Sequence, residues 1–204
     1  MKYFLLILVL SFLNSYSQNK TEIYKLNSES KIVGEIAYPM LYHFKANKLI
    51  LNGAGIRKSS IKNGYSCALY LENPETNPEN IVEKDDTMII RLDILSKKIA
   101  FEKTVEAFKK DLEEANTVAE LKQIQPEIEL FIEYLEELTV AVGAKLDIVY
   151  EPYKGTSIYL NYKKQGTVTG FGLKKALFNI WLSKTPADKV LKQQLLDGAN
   201  GYVF

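Results

Sequence analysis

The first part of the chain is built from short, β-rich stretches in which apolar and polar positions partly alternate. Residues 31–38 (KIVGEIAY), 40–44 and 48–51 each predict a strand. Asn52, Gly53, Ala54 and Gly55 then predict a tight bend, because glycine tolerates positive φ and close backbone approach. Residues 56–62 and 65–72 read as the two arms of a hairpin around Asn63-Gly64. In the turn-rich run NPETNPEN, Asn77 and Pro78 suit an N-cap and first helical position. Residues 87–94 (TMIIRLDI) predict another strand.

The period changes in the middle of the chain. Phe101, Val105, Phe108 and Leu112 mark one face of an amphipathic helix. Thr117 with Glu120 has the spacing of a capping box, so a second helix begins there. Pro126 restarts it, with Ile128, Phe131, Ile132, Leu135 and Leu138 as the apolar stripe. The acids Glu127, Glu129, Glu133, Glu136 and Glu137 fall mostly on the opposite face, as a solvated surface does. Strands return at 145–150, 156–162 and 166–169. Leu173, Ala176, Leu177, Ile180 and Trp181 mark a further helix, and residues 185–188 (TPAD) start a last one that ends near Gly198. Strands, then helices, then both again argue an α+β fold on a mainly antiparallel sheet.

The N-terminus has a different character. Lys2 precedes an apolar run at residues 4–13 (FLLILVLSFL), followed by small residues at Ser15 and Ser17. The run has the length of a signal-peptide core, about ten residues, and not of a membrane span, about 20. Residues 1–17 are therefore expected to be a cleaved signal peptide, and residues 18–204 one domain, periplasmic or secreted, with no stable membrane insertion after cleavage.

Composition narrows the chemistry. With 26 Lys+Arg against 25 Asp+Glu the chain is near neutral, which gives no electrostatic reason to expect nucleic acid as a partner. One His and one Cys cannot supply a four-ligand zinc site or an internal disulfide, and neither His43 nor Cys67 sits in a nucleophile motif. No metal and no cofactor is expected. Arg57 stands out, because it follows Gly55 in an apolar, strand-rich context. Turned inward, its guanidinium must meet an anion or hydrogen-bond acceptors. That leaves two readings: contact with a ligand, or a tie to backbone carbonyls or an internal acid.

Several stretches together resemble the chalcone isomerase-like family: LNGAGIR at 51–57 with the strand ALYLE at 68–72, the helix FEKTVEAF at 101–108, and GTVTG at 166–170 running into KKALFNIWL at 174–182 and PAD at 186–188. The resemblance implies an open-faced β-sandwich, a broad antiparallel sheet carrying a helical layer with a ligand cleft between them. The family holds true isomerases, which close a chalcone to a flavanone, and non-catalytic members that bind fatty acids. In both, the Arg matching Arg57 contacts ligand. Tyr65 matches a position where the enzymes carry Thr and the fatty-acid binders Tyr.

Register bears on whether Arg57 and Tyr65 can cooperate. A two-residue Asn63-Gly64 loop would put them on opposite faces of the sheet. A three-residue loop including Lys62 would pair Arg57 with Leu69 and place Arg57 and Tyr65 on one face, about 13 Å apart along the strands. The three-residue loop is the predicted one. The isomerases' helical Tyr-x-x-Lys-x-x-x-Asn is missing, since residues 99–116 contain no Tyr, and Ile180 falls where they carry Thr. The resemblance therefore implies a binder of a fatty acid or similar apolar carboxylate, held by Arg57 and Tyr65 without catalysis. The alternative is an intramolecular lyase or isomerase acting on another substrate.

Overall fold

The computed structural model describes residues 29–58, 63–95 and 101–198. The expected signal peptide and most of the loop after Arg57 lie outside the described residues. Strands β1 (Ser30–Val33) and β2 (Ile36–Pro39) form a separate antiparallel hairpin. The single strand predicted over 31–38 is thus two, because Gly34 takes the left-handed region (φ +62°) and closes a two-residue turn that pairs Val33 with Ile36.

Seven further strands form one sheet: β3 (Leu41–Phe44), β4 (Asn47–Lys58), β5 (Asn63–Leu71), β6 (Met88–Ile94), β7 (Lys145–Glu151), β8 (Gly155–Leu160) and β9 (Lys163–Val168). They pair antiparallel in chain order. Helix α1 (Pro78–Glu83) joins β5 to β6. Helices α2 (Phe101–Ala115), α3 (Val118–Gln123) and α4 (Gln125–Glu136) lie between β6 and β7, and α5 (Phe171–Leu182) and α6 (Lys189–Leu196) follow β9. The caps of α1 and α3 are those the sequence indicates, Asn77 and the Thr117–Glu120 box, and α6 is capped by Asp188, the last residue of the TPAD run expected to start it.

The sheet is covered on both faces. On one, Tyr65, Cys67, Leu69, Ile90, Leu92 and Ile148 pack under Val105, Leu112, Phe131, Leu177 and Trp181 of the helices. On the other, Leu49, Leu51, Ala68, Tyr70, Ile89 and Val149 pack with Tyr38 of the β1–β2 hairpin. Burial on both faces explains why the central strands read as nearly continuous apolar runs instead of clean alternation.

Residues 52–55 are not a bend. They continue β4, which runs unbroken for 12 residues. What the segment contains is a bulge: Leu51 pairs with Tyr70 and Gly53 with Leu69, so Asn52 has no partner on β5. The fully buried Asn52 side chain holds this geometry. Its Nδ2 donates to the carbonyls of Glu75 (3.0 Å) and Leu195 (2.9 Å), and its Oδ1 accepts from the Glu75 amide at 2.8 Å. Gly53 and Gly55 are required by contact and not by positive φ. A Cβ on Gly53 would lie 2.3 Å from the Gln194 carbonyl of α6, and one on Gly55 would strike the Gln194 side chain. The expectation of close backbone approach is met by α6.

A second buried anchor ties α5 to α1. Lys174 is fully buried, and its Nζ donates to the carbonyls of Ile81, Val82 and Lys84 at 2.7–2.9 Å, beside the rings of Tyr150, Phe171 and Phe178. A cation at the end of α1 satisfies carbonyls that a helix C-terminus leaves open.

Two outcomes follow from these anchors. Asn52→Leu orphans buried backbone groups at the bulge and should cost about 2–4 kcal/mol in urea unfolding. Lys174→Met orphans three carbonyls and should cost about 3 kcal/mol near neutral pH. Burial lowers Lys174 to about 8. Above that value the folded state sheds the proton before the unfolded state does, so wild-type stability from this group rises between about pH 8 and 10.5. The Lys174→Met deficit should therefore widen over that interval in paired unfolding curves.

Candidate functional site

The bulge at Asn52 decides where Arg57 points. Leu49 and Leu51 face the hairpin side of the sheet, and strict alternation would send residue 57 there as well. One extra residue reverses the sense, so Gly53, Gly55 and Arg57 face the helices, opposite Leu69, Cys67 and Tyr65. Ile56 pairs with Ser66, and Lys58 with Asn63, so a second irregularity sets Gly64 and Tyr65 against Arg57.

Both registers considered from the sequence are therefore incorrect. The strands are displaced by several residues relative to both, with Ile56 opposite Ser66 and Lys58 opposite Asn63. Arg57 lies across from Tyr65 and not from Leu69. They share a face, as expected, without the 13 Å separation that the predicted register implied.

The side chains meet. Arg57 Nη1 donates to the Tyr65 hydroxyl at 3.4 Å, and the guanidinium lies 5.7 Å from the centre of the Tyr65 ring. Trp181 Nε1 donates to the same hydroxyl at 3.0 Å. Arg57 is also engaged by Asp111 of α2, through Nη1–Oδ2 at 2.5 Å and Nη2–Oδ1 at 3.0 Å. This fork-to-fork pair ties Arg57 to an internal acid, Asp111, at the edge of open space. Burial is the largest influence and works against the Arg57 charge, but the hydrogen bonds to Asp111 and Tyr65 and their electrostatic attraction together outweigh it and hold the proton more firmly than usual. Burial raises the Tyr65 phenol, which stays protonated.

A cavity of about 60 Å³ adjoins the pair. Arg57, Tyr65, Asp111 and Trp181 form its polar end, and Leu92, Ile94, Val105, Phe108, Leu135 and Leu146 supply apolar walls. Phe108 stacks on Phe131 and tilts against Trp181. Helix α2 is fixed over the cavity by Asn116. Its Nδ2 donates to the carbonyls of Leu112 and Ala176, and its Oδ1 accepts from Asn179 of α5.

The other candidates lie elsewhere. Cys67 is wholly buried, and burial raises its thiol. His43 is exposed on β3 and is not among the residues lining the cavity. Ile180 is buried in the core beside Trp181. Among the described residues no group of three or more His, Cys, Asp or Glu could hold a metal ion, and no helix is long and apolar enough to cross a membrane.

The chalcone isomerase-like family profile matches residues 30–197. The chain belongs to the chalcone isomerase-like family. Among solved structures it is similar to a fatty-acid-binding protein of Arabidopsis thaliana, with 18% identity, a TM-score of 0.69, and coverage of 84% of this chain and 97% of that one. Comparison with curated proteins gives no match. The fold of the family, an antiparallel sheet with helices in an α+β arrangement, is the one observed here.

Within that fold, α2 forms one wall of the cavity. Here Phe108 and Asp111, three residues apart, border the cavity beside Arg57. Asp111 was not singled out from the sequence. Its signal is its position: it falls one turn after Phe108 and next to Leu112, a carboxylate within the apolar stripe of α2. An acid there needs a cation across the interface, and Arg57 is that cation.

Tyr65→Phe removes the acceptor of the buried Trp181 indole N–H. It should cost about 1–3 kcal/mol in urea unfolding and shift the emission of Trp181, the chain's single tryptophan.

Proposed function

We propose that this chain is a non-catalytic binding protein for an apolar, lipid-like molecule with a carbonyl-bearing head, exported to the periplasm or the outside of a bacterial cell. The observation that carries the reading is the apolar cavity between sheet and α2 that ends on Arg57 and Tyr65. The plant relative's description as a fatty-acid-binding protein agrees with it, and so does the signal-like pattern of residues 1–17.

In this reading the polar end of the ligand reaches Arg57 and Tyr65 while its chain lies among Leu92, Val105, Phe108 and Leu135. Each methylene taken from water contributes about 0.8 kcal/mol. The cavity of about 60 Å³ is far below the roughly 300–1,000 Å³ of sites that enclose a drug-sized molecule. A long chain is therefore accommodated by parting α2 from the sheet around Phe108. Catalysis is disfavoured because the only carboxylate lining the cavity among the described residues, Asp111, is engaged by Arg57, and burial keeps the Tyr65 phenol protonated.

The test is titration of the mature protein with twelve-carbon ligands of differing head group, followed through Trp181 emission. At least one should bind, and Arg57→Ala should weaken it about tenfold or more, the loss of a charge-assisted contact. Equal binding by both proteins rejects the site. Turnover of a phenolic enone that disappears in Arg57→Ala would replace the reading with that of an isomerase or lyase.

A further inference from the structure

We infer that this cavity takes ligands with an uncharged carbonyl head, such as a ketone, ester or undissociated acid, in preference to a carboxylate anion. The inference rests on the binding reading above and specifies the ligand class of the same site.

Charge is the first argument. Among the described residues Arg57 is the only cation lining the cavity, and Asp111, also at its wall, neutralises it through two hydrogen bonds. The remaining walls are apolar apart from the phenol of Tyr65 and the indole of Trp181. An incoming carboxylate would add a second negative charge beside Asp111 in a poorly hydrated space, with one guanidinium to share. Like charges at such range disfavour the ionised forms. The alternative, expelling Asp111 from Arg57, would leave a buried acid without its partner.

Hydrogen bonding is the second argument. The Tyr65 hydroxyl accepts from both Trp181 Nε1 and Arg57 Nη1, so its lone pairs are used and its own proton is not. No acceptor for that proton is found among the described residues. Arg57 likewise keeps Nε–H and one Nη2–H unspent on the described residues. The polar end thus offers donors without net charge, which is the complement of a neutral carbonyl oxygen.

The experiment compares 2-dodecanone with dodecanoate on the wild-type protein at pH 8, where the free acid is ionised, reading Trp181 emission. The ketone should bind about tenfold or more tightly. Dodecanoate binding as tightly as the ketone, or more so, overturns the inference and leaves the binding reading standing. Failure of both ligands to bind overturns the reading itself. Asp111→Asn leaves a net positive site and should reverse the preference toward dodecanoate. An unchanged preference in a variant with wild-type circular dichroism also overturns the inference. Should that variant not fold, the wild-type comparison decides alone.

Discussion

The site depends on one inserted residue. With Asn52 bulged out of the β4–β5 ladder, the outward-facing series that includes Leu49 and Leu51 gives way to an inward-facing one that includes Gly53, Gly55 and Arg57. A one-residue change in register turns every following side chain to the other face. Without the bulge Arg57 would face the β1–β2 hairpin, and neither Tyr65 nor Asp111 could reach it. The bulge is maintained from outside the sheet, by the segment around Glu75 and the end of α6, both bonded to the Asn52 amide. Gly53 and Gly55 belong to the same device, since they let α6 approach close enough to make that bond. The segment LNGAGIR is thus a unit: an amide to fix the kink, two glycines to admit a helix, and a cation delivered two residues later.

Once delivered to the inner face, the cation has to be neutralised. An Arg side chain 23% exposed at the edge of an apolar cavity is only partly hydrated. Asp111 resolves this from the opposite layer, and so the same contact that satisfies Arg57 also docks α2 onto the sheet. Asn116 does comparable work one turn further on, binding α2 to α5 through backbone and side chain. The position of the helix and the charge state of the site are therefore not independent. Any molecule that parts α2 from β5 must deal with the ion pair as well as with Phe108.

Most of the strand and helix pattern was legible from periodicity and caps. The parts that were not share a physical cause. Residues 31–38 look like one strand, yet Gly34 supplies the positive φ that folds them into two; glycine permits both readings and only tertiary contact chooses. Residues 52–55 look like a bend because glycines usually mark one, whereas here they mark the approach of α6, a partner about 140 residues distant that local sequence does not reveal. The hairpin register failed for the same reason, since the Asn63-Gly64 dipeptide suggests a turn but the bulges fix the pairing. Arg57 and Tyr65 were legible as a pair through the family motif. Their partner Asp111 was not, because an acid within an apolar stripe is recognisable as buried only once the opposite charge is known to lie across from it.

The balance between capture and chemistry turns on what α2 presents to the cavity. Ring closure on an enone needs a group to keep a nucleophilic oxygen deprotonated and another to polarise the ketone. The polar end here has donors in quantity: the phenol of Tyr65, the spare N–H groups of Arg57, the indole of Trp181 already committed to Tyr65. Its one carboxylate among the described residues, Asp111, is held by two bonds to Arg57, and burial raises the Tyr65 phenol so that it keeps its proton. Such an arrangement presents donors suited to hold and polarise a carbonyl oxygen.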